Sequence, residues 1–316
     1  MGKLAFVFPG QGAQTVGMGQ ALAEAYPAAA RAFDRASGAL GADMRALCFE
    51  GPEEELKKTE NTQPAILTAS YAVLEVLRQE GFEPDFTAGL SLGEYTALVC
   101  AGVMDFEDAV RVVRQRGKLM QAEVPEGVGA MAAIMGIEDS LVIEACAYAS
   151  QFGICEPANF NCPQQLVIAG EAAAVGKGVE KAKELGAKKA VLLPVSAPFH
   201  TSMLRGAGDK LDAVLAEVPL KGFAVPVISN VHGEPYGGTE AVRDLLVRQV
   251  SNPVRWGQCV QTLIDAGVDC FVEVGPGNAL SKFIKRVSKD VTILNVEDPE
   301  SLAKTLEVLK NRRDAQ

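Results

Sequence analysis

Apolar residues along the first third of the chain occur either as short unbroken runs or at helical spacing. The run 4–8 in KLAFVF predicts a buried strand, which Pro9 and Gly10 stop. Helical spacing covers 17–37 and then 62–80, the second beginning at Asn61/Thr62 and stopping at Gly81. DFTAGL (85–90) predicts a short strand; after Ser91, EYTALVCAG predicts a helix, and another covers 106–121. From 129 to 195 the order is strand (GAMAAIMG), helix (DSLVIEACAYAS), strand (ICEPANFN), strand (QQLVIAG), a helix ending near Gly186, and strand (KAVLLPV). That βαββαβ order is the ferredoxin-like split unit. Alternation then resumes: helix 201–218, strand VPVIS, helices near 239–250 and 256–266, strand CFVEV, a helix, strand VTILNV and a last helix. Alternation of this kind implies a mainly parallel sheet covered by helices. The expected fold is α/β: a discontinuous large domain, 1–126 and 197–316, interrupted by a ferredoxin-like small domain, 127–196.

GLSLGEY (89–95) places Ser91 in a G-x-S-x-G motif between a predicted strand and a predicted helix. This is the context of a nucleophile elbow, where a sharp turn exposes Oγ at a helix N-terminus, so the core is expected to be α/β-hydrolase-like. A Gly-flanked serine that merely caps a helix is the plainer reading. A serine nucleophile needs a base, and the chain has only two histidines. His200, in VSAPFHTSM, follows the last strand of the small unit, whereas the Gly/Pro surroundings of His232 suit an exposed turn. His200 is therefore the candidate base. The acids between serine and histidine (Asp105, Glu107, Asp108, Glu138, Asp139) fall on helices or at their starts, so an amide or backbone carbonyl is expected to orient the imidazole.

Composition narrows the function classes. A net charge of −10 argues against a nucleic-acid or anionic-membrane binder. The N-terminal apolar run is too short for a signal peptide, and no stretch approaches a membrane span. Seven scattered cysteines without C-x-x-C spacing, beside two histidines, speak for reduced thiols in the cytosol and against a metal site. GQGAQ (10–14) has neither G-x-G-x-x-G nor a P-loop lysine, so nucleotide chemistry is not expected.

On the helix 106–121, Ala109, Val112, Val113, Leu119 and Met120 form an apolar stripe, and Arg116 lies on it. A guanidinium on a buried face needs an anion. Either an intramolecular carboxylate supplies it, or Arg116 is a bidentate clamp for a substrate carboxylate.

FPGQGAQ (8–14), GLSLGEY (89–95), RQRGKLMQ (114–121), GAMAAI (129–134), SAPFH (196–200) and EVGPGNAL (273–280) occur in this order. Together they resemble the malonyl-CoA:acyl-carrier-protein transacylases of bacterial fatty-acid synthesis, relatives of polyketide-synthase acyltransferase domains, from about residue 3 to about 296. The resemblance implies Ser91 as nucleophile and His200 as base. It gives Gln249 as the residue whose backbone carbonyl orients His200, and Gln11 with the Leu92 N–H as the oxyanion hole. It further implies that Arg116 holds the free carboxylate of malonyl and that Phe199 disfavours a 2-methyl branch. The substrate would be malonyl-CoA, the acceptor the phosphopantetheine thiol of acyl carrier protein, with no permanently bound cofactor. Leu90 departs from the family pattern, which has histidine there. A serine hydrolase of acyl thioesters, a polyketide-pathway acyltransferase and an inactive carrier-protein scaffold are the rival readings. An acidic carrier protein needs a basic dock, for which Lys282, Lys285, Arg286 and Lys289 at i, i+3, i+4 and i+7 are the first candidates. Lys177, Lys181, Lys188 and Lys189 are the second.

Overall fold

The computed structural model describes residues 2–195 and 197–314. Five strands form one parallel sheet: β1 (Lys3–Phe8), β2 (Phe86–Gly89), β7 (Val227–Ile228), β8 (Val268–Val274) and β9 (Thr292–Val296), in the order β7-β2-β1-β8-β9. The central strands are buried on both faces, as a helix-covered parallel sheet requires, so β1 reads as an unbroken apolar run and not as an alternation. A second sheet is antiparallel: β3 (Gly129–Met135), β4 (Cys155–Cys162), β5 (Gln165–Glu171) and β6 (Lys189–Leu192), ordered β4-β5-β3-β6. With the helices Asp139–Ala149 and Ala172–Glu184 it makes the expected βαββαβ unit.

The antiparallel sheet is tied by main chain to the loop that follows the helix Glu240–Ser251. The Phe160 N–H of β4 donates to the Val254 carbonyl at 2.8 Å, and the Val254 N–H donates back to Ala158 at 2.9 Å. Glu156, also on β4, accepts from the Ser202 N–H (2.8 Å) and Ser202 Oγ (2.6 Å). Both tethers land close to the chain segments that carry His200 and Gln249.

The predicted elements differ from those observed in a few places. The single helix expected over 17–37 is two, Gln20–Ala25 and Pro27–Leu40. The Pro27 ring holds the preceding Tyr26 in extended conformation (φ −129°, ψ 115°). Short helices Met44–Phe49 and Glu53–Lys57 follow, and the long helix begins at Thr59, running to Gln79. The helix expected from 201 begins with a 3-10 turn, Ser202–Leu204, before Arg205–Ala216.

Steric constraint explains the motif's two glycines. A Cβ on Gly89 would sit 2.0 Å from the Gly93 carbonyl carbon and oxygen, and a Cβ on Gly93 would sit 2.1 Å from the Phe8 carbonyl oxygen. The elbow helix Leu92–Cys100 therefore rests directly on the ends of β1 and β2. Backbone cannot yield as a flexible side chain can. Gly93→Ala should lower stability by at least ~2 kcal/mol, within the range for overpacking. Gly176→Ala, on an open helical face, should instead raise it by about 0.5–1 kcal/mol. Denaturant midpoints check both; an unchanged midpoint for Gly93→Ala would refute the contact.

Candidate active site

Ser91 stands between the end of β2 and the helix Leu92–Cys100 with φ 54° and ψ −102°. Such a backbone costs on the order of 1–3 kcal/mol for a non-glycine residue and persists only when its surroundings hold it. They do so at both ends. The Ser91 N–H donates to Asn230 Oδ1 at 2.6 Å. Its carbonyl accepts from Gln249 Nε2 at 3.0 Å and from the Glu94 N–H at 3.1 Å. Asn230 is itself fixed, its Nδ2 donating to the Gly89 carbonyl at 2.8 Å and its N–H to Glu94 Oε2 at 3.2 Å.

His200 Nε2 lies 2.8 Å from Ser91 Oγ, and His200 Nδ1 lies 2.8 Å from the Gln249 carbonyl. A carbonyl only accepts, so Nδ1 carries the proton and Nε2 presents its lone pair to the serine hydroxyl. The group that faces Nδ1 is thus a backbone carbonyl, one of the two kinds expected in place of an acid. His200 is buried, and burial, reinforced by the Arg116 charge, pushes its pKa down to about 3. It is neutral in the resting site. Ser196, in the motif SAPFH, lies outside the described residues. His232 is exposed in a turn, as expected.

Arg116 is 1% exposed. Its Nη1 donates to Gln63 Oε1 at 2.8 Å, and its Nη2 to Gln249 Oε1 at 2.9 Å and to Ser91 Oγ at 3.1 Å. The guanidinium stands 5.4 Å from the Tyr95 ring centroid, and its Nε is buried without a partner. No carboxylate touches it among the described residues, so no direct intramolecular salt bridge holds this charge. Burial pushes the Arg116 pKa down. A buried guanidinium surrounded only by neutral acceptors is prepared for an incoming anion.

The remaining expectations fall out unevenly. Leu92 opens its helix, and the first N–H groups of a helix have no intrahelical acceptor. Gln11 Nε2 donates to Thr59 Oγ1 at 3.4 Å, and no hydrogen bond joins it to Ser91 among the described residues. Phe199 is buried beside the base. Leu90, half-buried, packs against the apolar cluster that contains Ala88, Ile228 and Trp256, and a histidine there would bring a polar ring to that cluster.

The four-cation helical face needs correction. The helix Ala279–Val287 ends before Lys289, because Ser288 is extended (φ −142°, ψ 143°). Arg286 is engaged by Gln165 Oε1 (2.7 Å) and the Pro163 carbonyl (2.5 Å), leaving Lys282 and Lys285 as its exposed cations without an ion pair among the described residues. In the second cluster Lys177 and Lys181 pair with Glu180 and Glu184.

Four site residues escape the motif reading: Gln63, Glu94, Asn230 and Tyr236. Glu94 had a signal, since it is the one charge in the otherwise apolar helix LGEYTALVC. It is fully buried, and it accepts from Gln249 Nε2 at 2.5 Å and from Tyr236 OH. Among the described residues no group of acids, cysteines and histidines could hold a metal ion, and no helix is long and apolar enough to cross a membrane.

Comparison with known proteins gives the same answer from a different direction. The chain is 48% identical to the malonyl CoA-acyl carrier protein transacylase of Escherichia coli K12, over 98% of this chain and 100% of that protein. The crystal structure of the Clostridium perfringens malonyl CoA-acyl carrier protein transacylase superposes with a TM-score of 0.96 at 46% identity, covering 99% of each chain. A malonyl-transacylase in complex with a type II PKS acyl-carrier protein superposes with a TM-score of 0.94 at 46% identity, covering 96% of this chain and 99% of that one. The acyl transferase domain model matches residues 5–310, and the chain belongs to that acyl transferase family.

Proposed function

We propose that the protein transfers a malonyl group from malonyl-CoA to the phosphopantetheine thiol of an acyl carrier protein, through an ester on Ser91. One observation carries the reading: Ser91 Oγ lies 2.8 Å from His200 Nε2 and 3.1 Å from Arg116 Nη2, so base and anion binder converge on one oxygen. A thioester with a carboxylate two bonds beyond its carbonyl fits that convergence.

In the proposed reaction Ser91 Oγ attacks the thioester carbonyl as its proton passes to His200 Nε2. Negative charge on the former carbonyl oxygen meets the Leu92 N–H and Gln11. Collapse breaks the C–S bond, and His200 returns the proton to the departing CoA sulfur. The carrier thiol then enters, gives its proton to His200 and attacks the ester, and Ser91 recovers the proton. Arg116 holds the malonyl carboxylate throughout, and Phe199 limits space beside the base. No cofactor beyond the substrate-borne thiols takes part. The large and small domains, with boundaries at 126/127 and 196/197, belong to this reading, and Lys282 and Lys285 are its proposed dock for the carrier. Seven buried free thiols fit a reducing compartment, and we place the protein in the cytoplasm.

Mixing with malonyl-CoA alone should give an adduct of about 86 Da on Ser91, detected by intact mass, which Ser91→Ala abolishes. A hydrolase would release malonate without accumulating that ester. Because the folded-state pKa of His200 is depressed, the base stays unprotonated as pH falls. Loading should therefore not decline between pH 8 and pH 5, whereas a loss centred near 6.5 would mean an ordinary histidine. Arg116→Ala should cost about 2–5 kcal/mol in malonyl transfer, the range for truncating one partner of a buried charge pair, while sparing acetyl transfer. Equal losses on both substrates would make Arg116 structural. Reversing Lys282 and Lys285 to Glu should raise KM for the carrier protein and leave Ser91 loading unchanged, with added salt mimicking the effect. Unaltered carrier kinetics at low salt would locate the dock elsewhere.

A further inference from the structure

The orientation of the Gln249 side chain is dictated by its neighbours. Arginine only donates hydrogen bonds, so the atom facing Arg116 Nη2 at 2.9 Å must be Oε1. The amide nitrogen is thereby turned to Glu94 Oε2, 2.5 Å away. Glu94 accepts two further bonds, from the Asn230 N–H at 3.2 Å and from Tyr236 OH. Three donors converge on one carboxyl group, the pattern of an ionised carboxylate. Guanidinium and carboxylate, each within 1% of full burial, are thus held one amide apart. In this arrangement a buried positive charge and a buried negative charge offset each other through a polarisable bridge.

An acyl carboxylate seated on Arg116 adds a second negative charge to the same enclosed space. We propose that Glu94 is the counter-charge of Arg116, joined to it through the side-chain amide of Gln249, and that it takes up a proton from solvent when the acyl carboxylate arrives. The inference rests on the malonyl reading given above. It keeps the buried charge balanced: one cation and one anion before loading, one cation and one anion after. The proton has a place to sit, because the Tyr236 hydroxyl both donates and accepts and can reverse to receive a bond from protonated Glu94.

Other titratable groups around Glu94 keep their resting forms near neutral pH. Burial pushes Tyr95, its helix neighbour, up to about 12 and raises Tyr236 well above its ordinary value. Burial also raises the Cys259 thiol, on the helix Trp256–Asp265, and lowers His200 to about 3, while Arg116 remains the cation. For Glu94, burial outweighs its three donors and lifts the pKa to about 7. It is therefore the member of the cluster poised to exchange a proton in that range.

The experiment is a single-turnover mix of the intact enzyme with malonyl-CoA at pH 7 in weak buffer with an indicator dye, and intact mass on the same sample. The transfer itself is proton-neutral, since the serine proton leaves on the CoA thiol, so any proton consumed reports the protein. The expected result is uptake of up to one proton per malonyl group loaded, and no uptake per adduct formed in Glu94→Gln, the adduct being counted by intact mass at whatever rate that variant loads. Tyr236→Phe removes a donor from the carboxylate, raises its pKa and should move the uptake to higher pH. Because no hydrogen bond joins Tyr236 to His200 among the described residues, that shift separates Glu94 from the base, and it keeps the test decisive if Glu94→Gln does not fold. Malonyl loading with no proton uptake overturns the inference and leaves the transacylase reading standing. Uptake unaltered in Glu94→Gln or Tyr236→Phe also overturns it. Absence of the adduct overturns both.

Discussion

Gln249 ties this site together, and it does so with three different atoms. Its carbonyl oxygen receives His200 Nδ1–H, its amide oxygen receives Arg116, and its amide nitrogen reaches both the Ser91 carbonyl and Glu94. The proposed nucleophile, base and anion binder come from three separate regions of the chain, yet each is registered against this residue near the end of the helix Glu240–Ser251. A strained serine backbone and a buried guanidinium are each unfavourable alone. Gln249 offsets both with hydrogen bonds that exist only in the folded arrangement.

Using a carbonyl instead of a carboxylate behind the histidine has an electrostatic consequence. A carboxylate would stabilise imidazolium in every state of the enzyme. Here the nearest full charge to His200 is Arg116, which opposes imidazolium formation. In the proposed reaction an acyl carboxylate in direct contact with the guanidinium offsets it more fully than Glu94 does from across the Gln249 amide, so His200 becomes a stronger base when the right acyl group is in place. An acetyl group brings no such charge. Selectivity then arises in the proton transfer as well as in binding, the kind of difference that raises kcat.

The sequence carried those features whose cause is local or periodic. Ser91 was legible because a strand, two glycines and a helix surround it, and both glycines prove to be steric necessities. Arg116 was legible because three-and-four spacing placed a charge on an apolar stripe. Gln249 was reached only through resemblance, and only for its carbonyl; nothing in VRQVSNP says where an amide points. Asn230 and Tyr236 follow a two-residue strand and meet Glu94 across more than 130 positions of chain. Such meetings depend on tertiary closure, which neither propensity nor spacing encodes. The face of four cations is shorter than its spacing suggested for a simple reason: charge periodicity continues to Lys289, past the point where the helix stops.

The main-chain bonds between β4 and Val254 bear on how this enzyme can be altered. Val254 lies five residues beyond Gln249, and Glu156 on the same strand grips Ser202, two residues beyond His200. The small sheet is thus bolted to the two segments that align the base. A hinge there would pull imidazole and hydroxyl apart with every opening. Exchange of the small unit between relatives would disturb catalytic alignment before it changed substrate choice. In the proposed reaction, breadth of acyl acceptance is better sought in Phe199, buried beside His200, than where the small sheet meets the rest of the chain.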